Sequence, residues 1–424
     1  MSRTECRGAQ ATTPTRKAGM SRMQRSAAVC AAFTLLLAAA GSMPGALAQP
    51  SSGSGSGSAG PDPVFEESVQ YPVGGLGAGV GSQTIAVGDF FGDGRQSVAA
   101  TGIGGGVGIL RGDGQGHLTR TQWIGTEVGA NAVQAADLRG IGVLDLVVTN
   151  YLSITVLFND GNGRFTVDRT YATDFNPDVT YRTGGIPFGL AIADFDHSGR
   201  PSIAINSFIP VPGGVGLMDN DGAGHFAPPR WFGAGLGKAS ALAGDVDNDG
   251  WPDLVSHDLA TSGVWVLVND RHGGFLPPRW NLATLPSEDV KLADMDGDGN
   301  LDLITANIAA FGFSVHYGDG RGNFSAPVPT VGGIAPCAIA IGDFTGSGRM
   351  DVVALQYLPS TAMLFRNNGD RSFGYVEQHT IGLGPQAAAT AQLRQGHRPD
   401  VLTMSTVSQD VAVLLNRIPE DDAR

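Results

Sequence analysis

Between Ile334 and Ile381 small and apolar residues alternate, then break at polar turns, in a rhythm that predicts four short strands. Cys337-Ala-Ile-Ala-Ile-Gly342 has the pattern of an inner strand, and Asp343 to Asp351 reads as a turn. Asp351-Val-Val-Ala-Leu355 is a second strand and Ala362-Met-Leu-Phe365 a third. Asn367-Asn-Gly-Asp370 is a hairpin signal of the Asn-Gly type, and Ser372-Phe-Gly-Tyr-Val376 opens a fourth strand. The unit is therefore a four-stranded antiparallel meander. One such sheet cannot bury both of its faces; radial packing of several sheets solves that, as in a β-propeller.

The unit returns. Its first acidic position, or the equivalent, falls at Asp89, Asp137, Asp194, Asp245, Asp294, Asp343 and Gln392, in steps of 48, 57, 51, 49, 49 and 49 residues. A second landmark, a polar turn closed by Phe, recurs at Phe165, Phe226, Phe275, Phe324 and Phe373, and this Phe is expected to pack between neighbouring units. The last unit stops at Val413-Leu-Leu-Asn416, one strand short, while Phe65-Glu-Glu-Ser-Val-Gln-Tyr71 is a strand without a unit. The prediction is an all-β, seven-bladed β-propeller of four-stranded antiparallel blades, closed by that N-terminal strand so that no edge stays unpaired.

Two copies of the turn carry four carboxylates each. Blade four has Asp245, Asp247, Asp249 and Asp253, with Trp251 offering its carbonyl; blade five has Asp294, Asp296, Asp298 and Asp302, with Asn300 in the carbonyl role. Calcium takes six to eight oxygens at roughly 2.3–2.6 Å, so it needs carboxylates converging from a tight loop, and the Gly at position six lets the backbone turn. An EF-hand is excluded, because position twelve is Ser256 or Thr305 rather than Glu and the flanks read as strands. Blade three (Asp194, Asp196, Ser198) and blade six (Asp343, Thr345, Ser347, Asp351) keep thinner sets, which suit either weak cation loops or self-bonded turns.

With these loops and strands in view, the chain resembles the FG-GAP and VCBS families of calcium-binding propeller repeats over about residues 65–417. Such repeats occur in integrin α-subunit heads, some fungal lectins and many exported bacterial proteins. The resemblance implies Ca2+ as the bound cofactor and a propeller fold; the fold hosts many unrelated functions.

Composition adds the compartment. Basic residues up to Arg25 precede an apolar stretch from Ala27 to Ala40 and the small-x-small run Ala46-Leu47-Ala48, the layout of a cleavable export signal over residues 1–48. That stretch is too short to span a bilayer, so no membrane span is expected. Residues 49–64 read as a Gly/Ser/Pro linker and 418–424 as a tail. The expected location is secreted, periplasmic or cell surface after signal removal, and the expected state a monomer. The whole chain carries a net charge of −13; without its first 48 residues, 21 basic residues face 39 acidic ones, a net −18. Nucleic acid is disfavoured as a partner.

Strand order puts the second-to-third-strand loops and the blade-to-blade connections on the face opposite the acidic loops. Tyr151, Tyr181, Trp231, His257, Phe311 and Tyr357 are the candidate ligand-face residues there, and aromatics on a rigid ring suit sugars or peptides. The long step between blades two and three marks an insertion near Thr170 to Thr183. A ring of polar residues (Asn150, Ser207, Asp258, Asn307, Gln356, Ser405) fits either ligand contacts or turn caps. Catalytic signatures such as Gly-x-Ser-x-Gly are missing, and the expectation is a non-catalytic binding module for glycans or proteins. The alternatives are a lyase-like polysaccharide enzyme drawing on Tyr181, Arg182, Lys238 or His257, and a structural part of a surface assembly.

Overall fold

A computed structural model describes residues 62–74, 84–102, 104–172, 187–207, 214–233, 240–258, 263–282, 287–307 and 311–420. The described strands form seven four-stranded antiparallel sheets. In blades one to six the four strands follow in chain order from the innermost outward. Blade six runs Pro336–Gly342, Asp351–Gln356, Thr361–Asn367 and Phe373–Thr380, close to the predicted bounds but with a longer fourth strand. Each innermost strand lies against the innermost strands of both neighbouring blades, and the cycle closes between Pro385–Ala391 of blade seven and Ile85–Gly88 of blade one.

Blade seven is completed from the other end of the chain. Val69–Pro72 pairs antiparallel with Asp410–Leu414, with Val69 opposite Val413 and Tyr71 opposite Val411. Phe65 bridges Asn416 and is buried with its ring 5.5 Å from that of Phe344, so it does in blade seven what the turn Phe does elsewhere. Pairing runs slightly beyond the expected bounds: Val64 donates its N–H to Glu377, and Glu420 donates its own to the Gly396 carbonyl.

Burial explains the sequence rhythm. Second strands such as Asp145–Asn150, Asp302–Asn307 and Asp400–Ser405 are buried along their whole length because blades cover both faces, so they read as continuous apolar or small runs. Turn Phe residues pack across blades as expected: Phe165 of blade two meets Phe90 of blade one edge-on at 5.5 Å, and Phe275 meets Phe195 at 5.4 Å.

The Asn that opens the Phe turn is a second staple between blades. Asn159 donates its Nδ2 to the Phe90 carbonyl of the previous blade at 2.8 Å, Asn269 to Phe195 at 2.8 Å, Asn367 to Met295 at 2.7 Å and Asn416 to Phe344 at 2.9 Å. Each also bonds the carbonyl before the ninth loop residue of its own blade, as Asn269 does to Pro252 at 2.9 Å. A buried amide satisfied in this way specifies blade spacing, because a lost partner leaves an uncompensated polar group.

Candidate metal centres and the opposite face

The first Asp of each acidic loop folds the loop onto itself. Asp245 accepts N–H groups from Asp249 (3.1 Å) and Gly250 (2.8 Å), and Asp294 from Gly297 (2.7 Å), Asp298 (3.2 Å) and Gly299 (2.9 Å). The turn after it needs the left-handed region, supplied by Gly250 at φ 89° and Gly299 at φ 88°. The ninth Asp opens the second strand and is fully buried. Asp253 accepts from Val246 (2.9 Å) and Asn269 (2.7 Å), and Asp302 from Met295 (2.8 Å) and Gly318 (2.8 Å), so it ties the loop to the end of the third strand.

These constraints bring three carboxylates of each loop together. Oxygens of Asp245, Asp247 and Asp253 lie within 4.8 Å of one another, as do those of Asp294, Asp296 and Asp302. Asp249 and Asp298 stand outside the clusters: Asp249 takes the Trp251 N–H (2.8 Å) and the Arg271 guanidinium (2.8 Å), and Asp298 takes the N–H and side-chain amide of Asn300. The Trp251 ring stacks on His197 of blade three at 3.9 Å, and Asn300 accepts from Asn248 at 2.6 Å, linking the two loops.

Burial, reinforced by neighbouring carboxylates, pushes Asp253 and Asp302 up to about 6, against their backbone hydrogen bonds. Burial and then Asp249 and Asp245 also raise Asp247, whose Oδ1 is buried without a partner. A cation at the convergence point would remove that repulsion and satisfy the orphan oxygen, and an all-carboxylate donor set suits a hard ion such as calcium. The fit is better in blade four, since Arg371 already holds Asp296 through two bonds of 2.9 and 2.6 Å. In blade six Arg398 holds Asp343 at 2.8 Å, and Thr345 turns its hydroxyl to Asp351. In blade three Asp194 and Asp196 both accept from the Ser198 N–H.

On the opposite face the predicted residues separate. His257 is fully buried on the second strand of blade four, its Nε2 2.7 Å from the Ser287 hydroxyl, and is a core residue. Tyr151 is buried, its ring packed where Gly129 leaves room. Trp231 lies on the outer strand of blade three, Arg230–Phe232, not in a loop, and packs on the core beside blade two. Phe311 stands exposed in the second-to-third-strand loop of blade five, and Tyr357 half-buried in that of blade six. Tyr181, Arg182 and Lys238 lie outside the described residues. Where its bonds are seen, the polar ring is tied up within the protein. Asn150 bonds Ser153 and Thr155, Asn307 bonds Ser314, and Gln356 accepts from the Ile334 N–H.

A family described as FG-GAP-like repeat matches residues 209–256 and 294–354, which contain the blade-four loop and the loops of blades five and six. The chain carries FG-GAP-like repeats over these two stretches. No curated protein sequence matches it. Among solved structures it is similar to BBS1N in complex with ARL6DN, at 10% identity and a TM-score of 0.59, covering 83% of this chain and 97% of that one. An Agrocybe aegerita lectin that recognises non-reducing terminal N-acetylglucosamine shares 20% identity and a TM-score of 0.51 over 74% of this chain and 80% of that one. A catalytically inactive virginiamycin B lyase from Staphylococcus aureus shares 12% identity and a TM-score of 0.52 over 82% and 99%. At these identities the likeness shows the fold.

Two blades outside those stretches hold an arginine where the acidic loops hold an Asp. In blade two Arg139 occupies loop position three and grips the buried ninth residue Asp145 through two bonds of 2.9 and 2.7 Å, with a third to the Asn159 carbonyl. In blade seven Arg394 occupies position three and bonds Glu66 at 2.9 Å; burial still pushes Asp400 up to about 6, with Arg394 offsetting only part of the rise. Sequence reasoning missed this substitution. The available signal was Arg at position three, where blades four and five place Asp247 and Asp296.

Proposed function

We propose that the protein is an exported, calcium-stabilised binding module, in which the acidic loops serve the fold and the opposite face meets the ligand. The observation that carries the reading is the pair of three-carboxylate clusters, with a buried and unpartnered Asp247 oxygen, set within loops already tied to the blade core. Asp245, Asp247 and Asp253 would hold one cation, and Asp294, Asp296 and Asp302 a second. Bound calcium supplies charge neutralisation; the chain's own residues supply loop closure, through the Asp245 and Asp294 turns and the Asp253 and Asp302 anchors.

Export is inferred from the signal-like residues 1–48, and N-terminal sequencing of the secreted product should begin near Gln49. No helix among the described residues is long and apolar enough to cross a membrane. Burial of His257 against Ser287 takes one candidate base of the lyase-like alternative out of reach of a polymer substrate. The likeness to one propeller solved with a protein partner and another described as recognising a sugar supports a binding role. Melting curves with and without chelator test the metal; binding of the protein to glycan arrays and to displayed peptides tests the face. An unchanged melting curve after chelation would show the loops to be metal-free turns.

A further inference from the structure

We propose that the loops of blades five, six and seven, on the face opposite the acidic loops, dock a polypeptide segment with an apolar core and basic flanks. This rests on the reading that this face is the working one, and narrows the partner from glycan or protein to protein.

Large apolar side chains are concentrated here in the open. Phe311, Val331, Ile334, Leu358, Leu383 and Val407 are between 42% and 81% exposed. Their loops form one connected arc. Gly332 donates to the Phe311 carbonyl (2.9 Å), Ile334 to the Gln356 side chain (3.1 Å), Ile381 to Ser360 (3.1 Å) and Val407 to Leu383 (3.1 Å). An exposed contiguous apolar patch on a water-soluble ring marks an interaction surface.

The arc is also stiff. Phe311 (φ 56°), Ala335 (φ 52°), Ser360 (φ 64°) and Gln409 (φ 59°) all stand in the left-handed region, although none is glycine. Such strain persists only where surrounding bonds over-determine it, and it clusters at binding sites. Side chains held this way lose little freedom on binding.

Charge selects the partner. Residues 311–312, 331–336, 356–361, 381–385 and 405–409 include no Asp, Glu, Lys, Arg or His, in a chain of net charge −13. An acidic partner would meet the field of the rest of the molecule with nothing to pair against, whereas basic flanks are steered in. A sugar needs convergent polar groups to read its hydroxyls, and three of the arc's own are spent within it. Gln356 accepts from Ile334, Ser360 accepts from Gly384 at 3.3 Å, and Thr406 donates to the Gly384 carbonyl at 3.0 Å. What remains outward is mainly apolar side chain, with Ser408 and Gln409 the exposed polar residues beside Val407, and this suits the apolar residues of a peptide.

The test pans the full chain against a random-peptide display library and measures enriched peptides by fluorescence anisotropy. We expect apolar sequences with Lys or Arg flanks. Leu358→Glu with Val407→Glu should weaken them at least tenfold without shifting the melting temperature, and Leu383→Glu serves if that pair folds poorly. Ile141→Glu, on the acidic-loop face, should leave binding unchanged. No enrichment, acidic peptides, or peptides indifferent to all three arc positions would overturn the proposal. Glycan-array binding that the arc variants abolish would keep the working face and overturn the partner class. Binding lost only with Ile141→Glu would overturn the face itself.

Discussion

Blades four and two solve one electrostatic problem in two ways. Each buries the ninth loop Asp completely, because that carboxylate must accept the N–H that ends the third strand: Asn269 to Asp253 at 2.7 Å, Asn159 to Asp145 at 2.9 Å. In blade two Arg139 delivers a permanent positive charge from position three, in the bidentate geometry that suits guanidinium and carboxylate. In blade four the same position is Asp247, which adds negative charge and leaves an oxygen unpartnered. A loop that brings its own cation is complete when folded; a loop of three acids asks for one from solution. Calcium dependence, on this view, belongs to blades four and five and not to the ring as a whole.

The largest expected effect breaks the arginine side of the comparison. Arg139→Ala strands Asp145 as a buried unpaired charge, which costs about 3–5 kcal/mol. The loss should appear as a lower urea midpoint at any calcium concentration. A loss of under about 1 kcal/mol, the range of an exposed ion pair, would show that Arg139 is not a built-in cation.

Next comes the acidic side. Saturating calcium should stabilise by about 2.7 kcal/mol for each site at a hundredfold excess over its dissociation constant. Asp247→Ala with Asp296→Ala should remove most of the calcium-induced rise in melting temperature, read by calorimetry. A calcium response equal to wild type in that double variant would place the ion elsewhere.

Arg139→Asp would sharpen the comparison by converting one loop type into the other. Position three then joins Asp137 and Asp145, and the variant should be poorly stable in chelator yet regain about 1–2 kcal/mol on adding calcium, with one extra ion by isothermal titration. No extra ion would mean that the acid triad alone does not define the site.

The smallest effect is in pH. Asp253 and Asp302 have folded values near 6, above the unfolded value of about 3.9. A raised value adds stability that is complete below the unfolded value and lost as pH rises through the folded one. In chelator, acidification from pH 7.5 to 5 should therefore raise stability by roughly 1 kcal/mol per group. In saturating calcium the ligands are held ionised, and the same acidification should lower stability by competing with the ion. The same sign of response in both conditions would argue against metal at these carboxylates.

The repeat made the architecture legible in one dimension. A period near fifty, the truncated last unit and the orphan N-terminal strand together specify seven closed blades, because alternation and turn chemistry are local properties that survive in any register of the string. The acidic loops were legible for the same reason, with their carboxylates only a few residues apart. What sequence could not decide was direction. Four carboxylates in a row do not reveal that Asp249 turns to Arg271 while Asp247 points inward, since that depends on a turn two strands away. Nor does a polar residue at a strand end reveal whether it faces ligand or bonds within the protein, as Asn150 does to Ser153 and Gln356 to the Ile334 N–H. His257 resembled a surface base until packing buried it against the next blade's Ser287. The cross-blade staples from Asn159, Asn269, Asn367 and Asn416 join residues about seventy positions apart, whereas Arg139 reaches Asp145 within its own loop. Local hydrogen bonding and side-chain periodicity are written in neighbouring residues, so the sequence alone determined the blades and the acidic turns. Which charge meets which, and which side chains stay outside, is settled only when blades pack and desolvate each other, so it was decided by the tertiary structure.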